Sequence, residues 1–99
     1  RAQPARIDRT YLSSLAVHLE PTVMVGKDGL SEGVTKALEQ ELAFRELVKL
    51  RFVASKEDRK EISQELATAV QAELVRVIGN VAIFYRPALE IEKRTIVLP

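Results

Sequence analysis

The chain has no cysteine, no tryptophan and a single histidine, His18, among its 99 residues. Without thiols there is no disulfide, no thiolate-bound metal and no cysteine nucleophile, which fits a reducing compartment. His18 has no Ser or Asp companion at a motif spacing that would make it a general base. A lone histidine of this kind reads as a capping or packing residue near a helix end. No spacing suited to metal ligands occurs. The dinucleotide pattern Gly-x-Gly-x-x-Gly and the phosphate loop ending in Gly-Lys-Ser/Thr are both absent. No apolar run approaches the roughly 20 residues needed to cross a bilayer. Arg1-Ala2-Gln3-Pro4-Ala5-Arg6 lacks the apolar core of a signal peptide, and a start at Arg is expected of a trimmed or excerpted chain. Strong charge of one sign is missing too. A net charge of +1 does not announce a polyanion ligand, so a basic surface would require the fold to segregate the charges. Together these absences point away from an enzyme, a cofactor and a membrane partner.

What is present is 46% hydrophobic and 29% charged, a globular balance too apolar for a disordered chain. The length suits one domain with one modest core. The organising stretch is Val23-Met24-Val25-Gly26-Lys27-Asp28-Gly29-Leu30-Ser31-Glu32-Gly33. It reads as a buried strand, a Gly-x-x-Gly loop and the first turn of a helix. Gly26 and Gly29 allow positive φ or close approach of another molecule. The helix aims its unpaired N–H groups and its positive dipole end at that loop, where a phosphate can sit. Lys27 adds a full positive charge.

Residues 1–7 read as a flexible lead-in and 8–98 as one domain. Asp8 is the expected N-cap of a helix from Arg9 to about His18, with Leu12, Leu15, Ala16 and Leu19 on one face. Pro21 ends it, and Thr22 to Val25 follows as a strand. Met24 is expected to fill the core. Ser31 caps a second helix to Arg45, whose buried stripe is Val34, Ala37, Leu38 and Leu42. Gly33 in its first turn costs up to ~1 kcal/mol against Ala, for close packing or for backbone access by a ligand. Glu46 to Val53 alternates, with Val48, Leu50 and Phe52 one way and Lys49 and Arg51 the other. Ser55 is the expected cap of a third helix, with Asp58 three residues on and a core stripe of Ile62, Leu66, Ala69 and Val70. Leu74 to Ile78 is a strand with Val75 and Val77 on one side and Arg76 on the other. Gly79-Asn80 signals a hairpin, returning as Val81 to Arg86.

The expected fold is an α/β two-layer sandwich, α-β-α-β-α-β-β, with a four-stranded mixed sheet in the order 1-2-4-3 and the last strand antiparallel. Right-handed crossovers put both crossover helices on one face. With helices on that face alone, the other sheet face stays open. Lys49, Arg51 and Arg76 fall on the open face, joined by Phe84 and Arg86 if Val81, Ile83 and Tyr85 point inward. The carboxylates then gather on the helices: Glu32, Glu39, Glu41, Glu57, Asp58, Glu61, Glu65 and Glu73. Such a basic face suits a nucleic-acid backbone, with an exposed aromatic available to a base. Arg86 has a second reading as the partner of a helix carboxylate, and Tyr85 reads as core.

The runs Leu19-Glu20-Pro21 through Val34, Glu46-Leu47-Val48-Lys49-Leu50, Val77-Ile78-Gly79-Asn80 and Tyr85-Arg86-Pro87, in this order, resemble the CRM domain. That is the chloroplast RNA splicing and ribosome maturation domain, whose bacterial stand-alone form is the YhbY type. The resemblance covers about residues 8–98. It implies a fold similar to the C-terminal domain of translation initiation factor 3, RNA binding, and association with precursors of the large ribosomal subunit. It also implies RNA contact through the loop Gly26, Lys27, Asp28, Gly29. The basic strand position after Glu-Leu-Val maps to Lys49, and Tyr-Arg-Pro maps to Tyr85, Arg86 and Pro87. The chain departs from the family pattern at Glu20 and Asn80, where the family often carries Lys.

The candidate RNA contacts are therefore Gly26, Lys27, Asp28, Gly29, Ser31, Lys49, Arg51, Arg76 and Arg86, with no catalytic or metal residue, on a cytoplasmic monomer. The alternative is a protein-interaction module docking through the open sheet face, an edge strand or the charged third helix.

Overall fold

The computed structural model describes residues 9–26, 30–53, 58–88 and 96. Its elements are α1 (Arg9–Ala16), β1 (Val23–Val25), α2 (Glu32–Arg45), β2 (Leu47–Phe52), α3 (Arg59–Ala69), β3 (Glu73–Ile78) and β4 (Val81–Tyr85). The four strands pair in the order β1-β2-β4-β3. β1 is parallel to β2, and β4 is antiparallel to both of its neighbours. Element order, strand order and the single reversed strand are those the sequence predicts. Asp8 and Ser55, the expected caps of the first and third helices, lie outside the described residues.

Local chemistry explains most boundaries. Ser31 is extended at φ −147°, and its Oγ accepts from the Val34 amide at 3.2 Å, satisfying an orphan donor of α2. α3 begins at Arg59, later than a cap at Ser55 would place it. Asp58 is its N-cap in a left-handed conformation, φ 61°, with no side-chain cap bond. Asp is one of the few residues that tolerate this region. Gly79 supplies the positive φ, 56°, of the β3–β4 hairpin.

The core lies on both sides of the sheet. Leu38 and Leu42 of α2, with Leu66, Ala67 and Val70, pack on Val23, Val25, Val48, Leu50, Phe52, Ala82 and Phe84. Leu12 and Ala16 of α1 pack on Leu47, Val75, Ile83 and Tyr85, with Leu15, Leu19 and Ile96 beside them. The crossover helices α2 and α3 do share a face. α1 does not join them; it covers part of the face expected to be open. The apolar stripe of α1 needs a partner, and the unbroken run Val81-Ala82-Ile83-Phe84-Tyr85 offers a second apolar surface.

That run also reverses the expected facing of β4. Ala82 and Phe84 point to the crossover helices, and Ile83 and Tyr85 point to α1. Phe84 is fully buried, so it offers no platform to a base. In β3 a bulge between Leu74 and Arg76 breaks the alternation, so Val75 packs on α1 while Val77 packs with the main core. Met24 is 50% exposed rather than core filling. Glu73 is the first residue of β3, opposite Tyr85, and pairs with Arg9 at 3.8 Å instead of joining the helix carboxylates.

Glu46, between α2 and β2, is 4% exposed at φ 67°. Its carboxylate accepts from the amides of Ala88, at 2.6 Å, and Ile96, at 3.1 Å. One buried carboxylate thus holds the main chain at Ala88 and at Ile96, and Ile96 packs beside the α1 cluster. Glu46→Ala removes the acceptor of two charge-assisted bonds and is expected to lower stability by about 2–4 kcal/mol. Urea unfolding checks this, and a loss under ~0.5 kcal/mol, ordinary for a surface site, would contradict the clamp.

Candidate functional site

Because β1, β2 and β3 run the same way, their carboxyl ends meet at one end of the sheet. Val53 N donates to Val25 O at 2.9 Å, and Phe52 N donates to Asn80 O at 2.7 Å, tying the three exits together. α2 and α3 each start from this end, because each follows a strand. Arg59, in the first turn of α3, donates to Gly79 O at 2.8 Å. Open α/β sheets commonly place ligands at the carboxyl ends of their strands.

The strand register lays out a row of side chains beside this end on the α1 side. Ile78 faces Val81, Val81 faces Arg51, and Arg51 faces Met24, so the row crosses β3, β4, β2 and β1 in turn. The next row is Arg76, Ile83 and Lys49. Lys49, Arg51 and Arg76 therefore share one face, as their alternation predicts. α1 covers the far part of that face and leaves Ile78, Arg51 and Met24 of the row nearest the strand exits exposed, with Val81 partly buried between them.

The three cations differ. Lys49 is half-buried, and its Nζ donates to Leu19 O at 3.1 Å, fixing the chain just after α1. Arg51 and Arg76 are exposed, and neither makes a hydrogen bond or ion pair among the described residues. Arg86 is elsewhere. It makes a bidentate pair with Glu39 of α2, both contacts at 2.8 Å, and donates to Val70 O at 2.9 Å. This overturns its expected place on the basic face and matches its second reading. The two-pronged guanidinium joins α2 to the end of α3. The helix side is of mixed sign rather than acidic, since Lys36, Arg45, Arg59 and Lys60 are interspersed with its carboxylates.

Lys27, Asp28 and Gly29 lie outside the described residues; the glycines flanking them do not. A Cβ at Gly26 would meet no atom of the described residues within 4 Å, and Gly26 has no positive φ. A Cβ at Gly33 would meet only Ser31 Oγ at 3.9 Å, an ordinary contact, so close packing does not explain this glycine. Ser31 is committed to the cap, though its hydroxyl hydrogen remains able to donate. Sequence reasoning missed Glu46 and the exposure of Met24. For Met24 a signal existed: it alternates out of phase with Val23 and Val25, whose partners are core residues.

The chain matches the CRS1 / YhbY (CRM) domain over residues 6–86. It belongs to that family. An RNA-binding protein of Haemophilus influenzae is 36% identical over 83 residues, covering 83% of this chain and 84% of its own. Probable RNA-binding protein MJ0652 of Methanocaldococcus jannaschii is 43% identical over 82 residues, 80% of this chain and 60% of its own. The solution structure of the Staphylococcus aureus protein SAV1595 superposes with a TM-score of 0.80 at 34% identity, covering 95% of this chain and 100% of that one. This CRM domain thus shares its fold with a structurally characterised bacterial relative.

In this domain the Arg86 guanidinium, chiefly through its hydrogen bonds, holds the Glu39 carboxyl below its ordinary value of 4.5 despite some opposing desolvation. A carboxyl depressed by folding stabilises the native state above its unfolded pKa, and the contribution vanishes as pH falls through the folded value. Glu39 is 49% exposed, so solvent screening keeps the coupling at or below about 1 kcal/mol. A double-mutant cycle with Glu39→Gln and Arg86→Gln is expected to show coupling at pH 7 and none once acid protonates Glu39. Coupling of equal size well below pH 4 would contradict the ion pair.

Proposed function

We propose that this CRM domain binds RNA, acting as a monomer in the cytoplasm on precursors of the large ribosomal subunit. The surface is the β1–α2 loop, the N-terminus of α2 and the row led by Arg51. The observation that carries the reading is the pair Gly26 and Gly33: neither positive φ nor any atom of the described residues calls for glycine, and both flank a helix N-terminus. Glycine in such positions lets a phosphate backbone reach the amides. Arg51, opposite Met24 and so near Gly26 in the strand register, supplies an exposed charge with no side-chain partner among the described residues. The names of the H. influenzae and M. jannaschii relatives support the same partner class. Protein docking through the sheet is less favoured, because α1 occupies much of that face.

Gly33→Ala separates the two uses of glycine. It is expected to raise stability by up to ~1 kcal/mol, through helix propensity, while weakening RNA binding. Lys27→Glu and Arg51→Glu are expected to weaken binding with little change in melting temperature. Co-sedimentation of the tagged protein with ribosomal particles at two salt concentrations tests the partner. Release by salt is expected, with a log–log slope of about −0.7 per phosphate neutralised on a single strand. Association insensitive to both salt and Arg51→Glu would point to a protein partner instead.

A further inference from the structure

An open groove of about 520 Å³ runs between α1 and the edge strand β3, away from the β1–α2 loop. We infer that this groove seats a single-stranded stretch of the RNA and forms a second contact continuous with the first; the inference rests on the reading of the chain as an RNA binder. Arg9, Thr10, Ser13 and Val17 form one wall, and Arg76 and Ile78 form the other.

The lining has the chemistry of a sugar–phosphate strand. Among the described residues no carboxylate lines the groove. Arg76 is exposed and unengaged among the described residues. Arg9 is held in place by a 3.3 Å bond to Leu74 O and a loose 3.8 Å contact with Glu73, so its charge is positioned without being strongly neutralised. The hydroxyls of Thr10 and Ser13 can donate and accept, as recognition of a 2′-hydroxyl requires. Val17 is 69% exposed and Ile78 48%, giving bases apolar surface without an aromatic platform. Such a lining would track the backbone and tolerate many sequences.

Two comparisons sharpen the assignment. A second groove, about 450 Å³ along α2 and α3, is lined by Leu30, Thr35, Gln64, Glu65, Thr68 and Ala69, with a carboxylate and, among the described residues, no cation. Its described lining sets a negative charge against a phosphate and no positive one beside it. The α1–β3 groove, by contrast, opens at Ile78, the first residue of the row through the partly buried Val81 to the exposed Arg51 and Met24. Three interstrand steps of about 4.8 Å each carry that row to β1 and Gly26. The groove's volume is that of a small-molecule pocket and suits about one or two nucleotides, not a duplex.

Fluorescence anisotropy of the full chain tests the groove. The probe is a labelled, mixed-sequence single strand of about 12 nucleotides, within the roughly 4–16 engaged by one small domain, in RNA and DNA versions. Arg76→Ala is expected to weaken RNA binding on the order of fivefold near 0.1 M salt and to make the log–log slope shallower by about 0.7. Thr10→Val with Ser13→Ala is expected to reduce the preference for RNA over DNA. Melting curves confirm that each variant is folded. If Arg76→Ala keeps the wild-type slope and affinity while Arg51→Ala weakens binding, the groove is overturned and the loop reading stands. If the wild type binds no RNA, both readings fall.

Discussion

The structure depends on a strand with two apolar faces. From Val81 to Tyr85, β4 carries no charged group, and it sits between β2 and β3 rather than at an edge. Ala82 and Phe84 require cover on one side, and Ile83 and Tyr85 require it on the other. A fully buried aromatic of this size contributes about 1.5–3 kcal/mol, so neither face can be left wet cheaply. α2 and α3 cover one face because crossover geometry places them there. α1 is the element free to cover the other, and its stripe of Leu12, Leu15, Ala16 and Leu19 makes that contact.

This constraint also shapes the exposed surface. α1 has eight residues, too few to span the sheet, so it protects the half nearer the strands' shared start and leaves a strip beside the strand exits. Lys49 marks the boundary between the halves, holding the carbonyl just after α1 while Arg51, two residues on, points into solvent. The strip adjoins the N-terminal ends of two helices. A positive surface can therefore arise in a chain with almost no net charge. Segregation is incomplete, because the opposite side is mixed rather than acidic. The exposed edge at β3 is also guarded at its start: Arg9 occupies the carbonyl of Leu74, which hinders pairing with another strand there.

Much of this was legible in the sequence. Periodicity, capping and hairpin residues gave the element order, and the crossover rule gave the strand order and the shared face of α2 and α3. Parity placed Lys49, Arg51 and Arg76 together, because β2 alternates cleanly and Arg76 lies where the bulge has restored the pairing. Parity failed where its premise failed. In β4 an unbroken apolar run has no polar phase to show which side faces the crossover helices, and the reading chose the wrong one, carrying Phe84 and Arg86 to the basic face. In β3 the bulge moved Val75 without any residue type announcing it. The position of α1 needed a tertiary argument: a five-residue apolar strand at the centre of a sheet implies two covered faces. Glu46 was invisible because its role lies in backbone amides 42 and 50 residues away.

Those amides have an evolutionary consequence. The carboxylate of Glu46 grips main-chain N–H groups at positions 88 and 96, and every residue except proline supplies one. Fastening of this kind is blind to side-chain identity. Position 88 can therefore drift widely while proline alone is barred, and position 96 adds only the demand for an apolar group. One buried acid can thus hold two distant backbone positions whatever letters, proline apart, stand there.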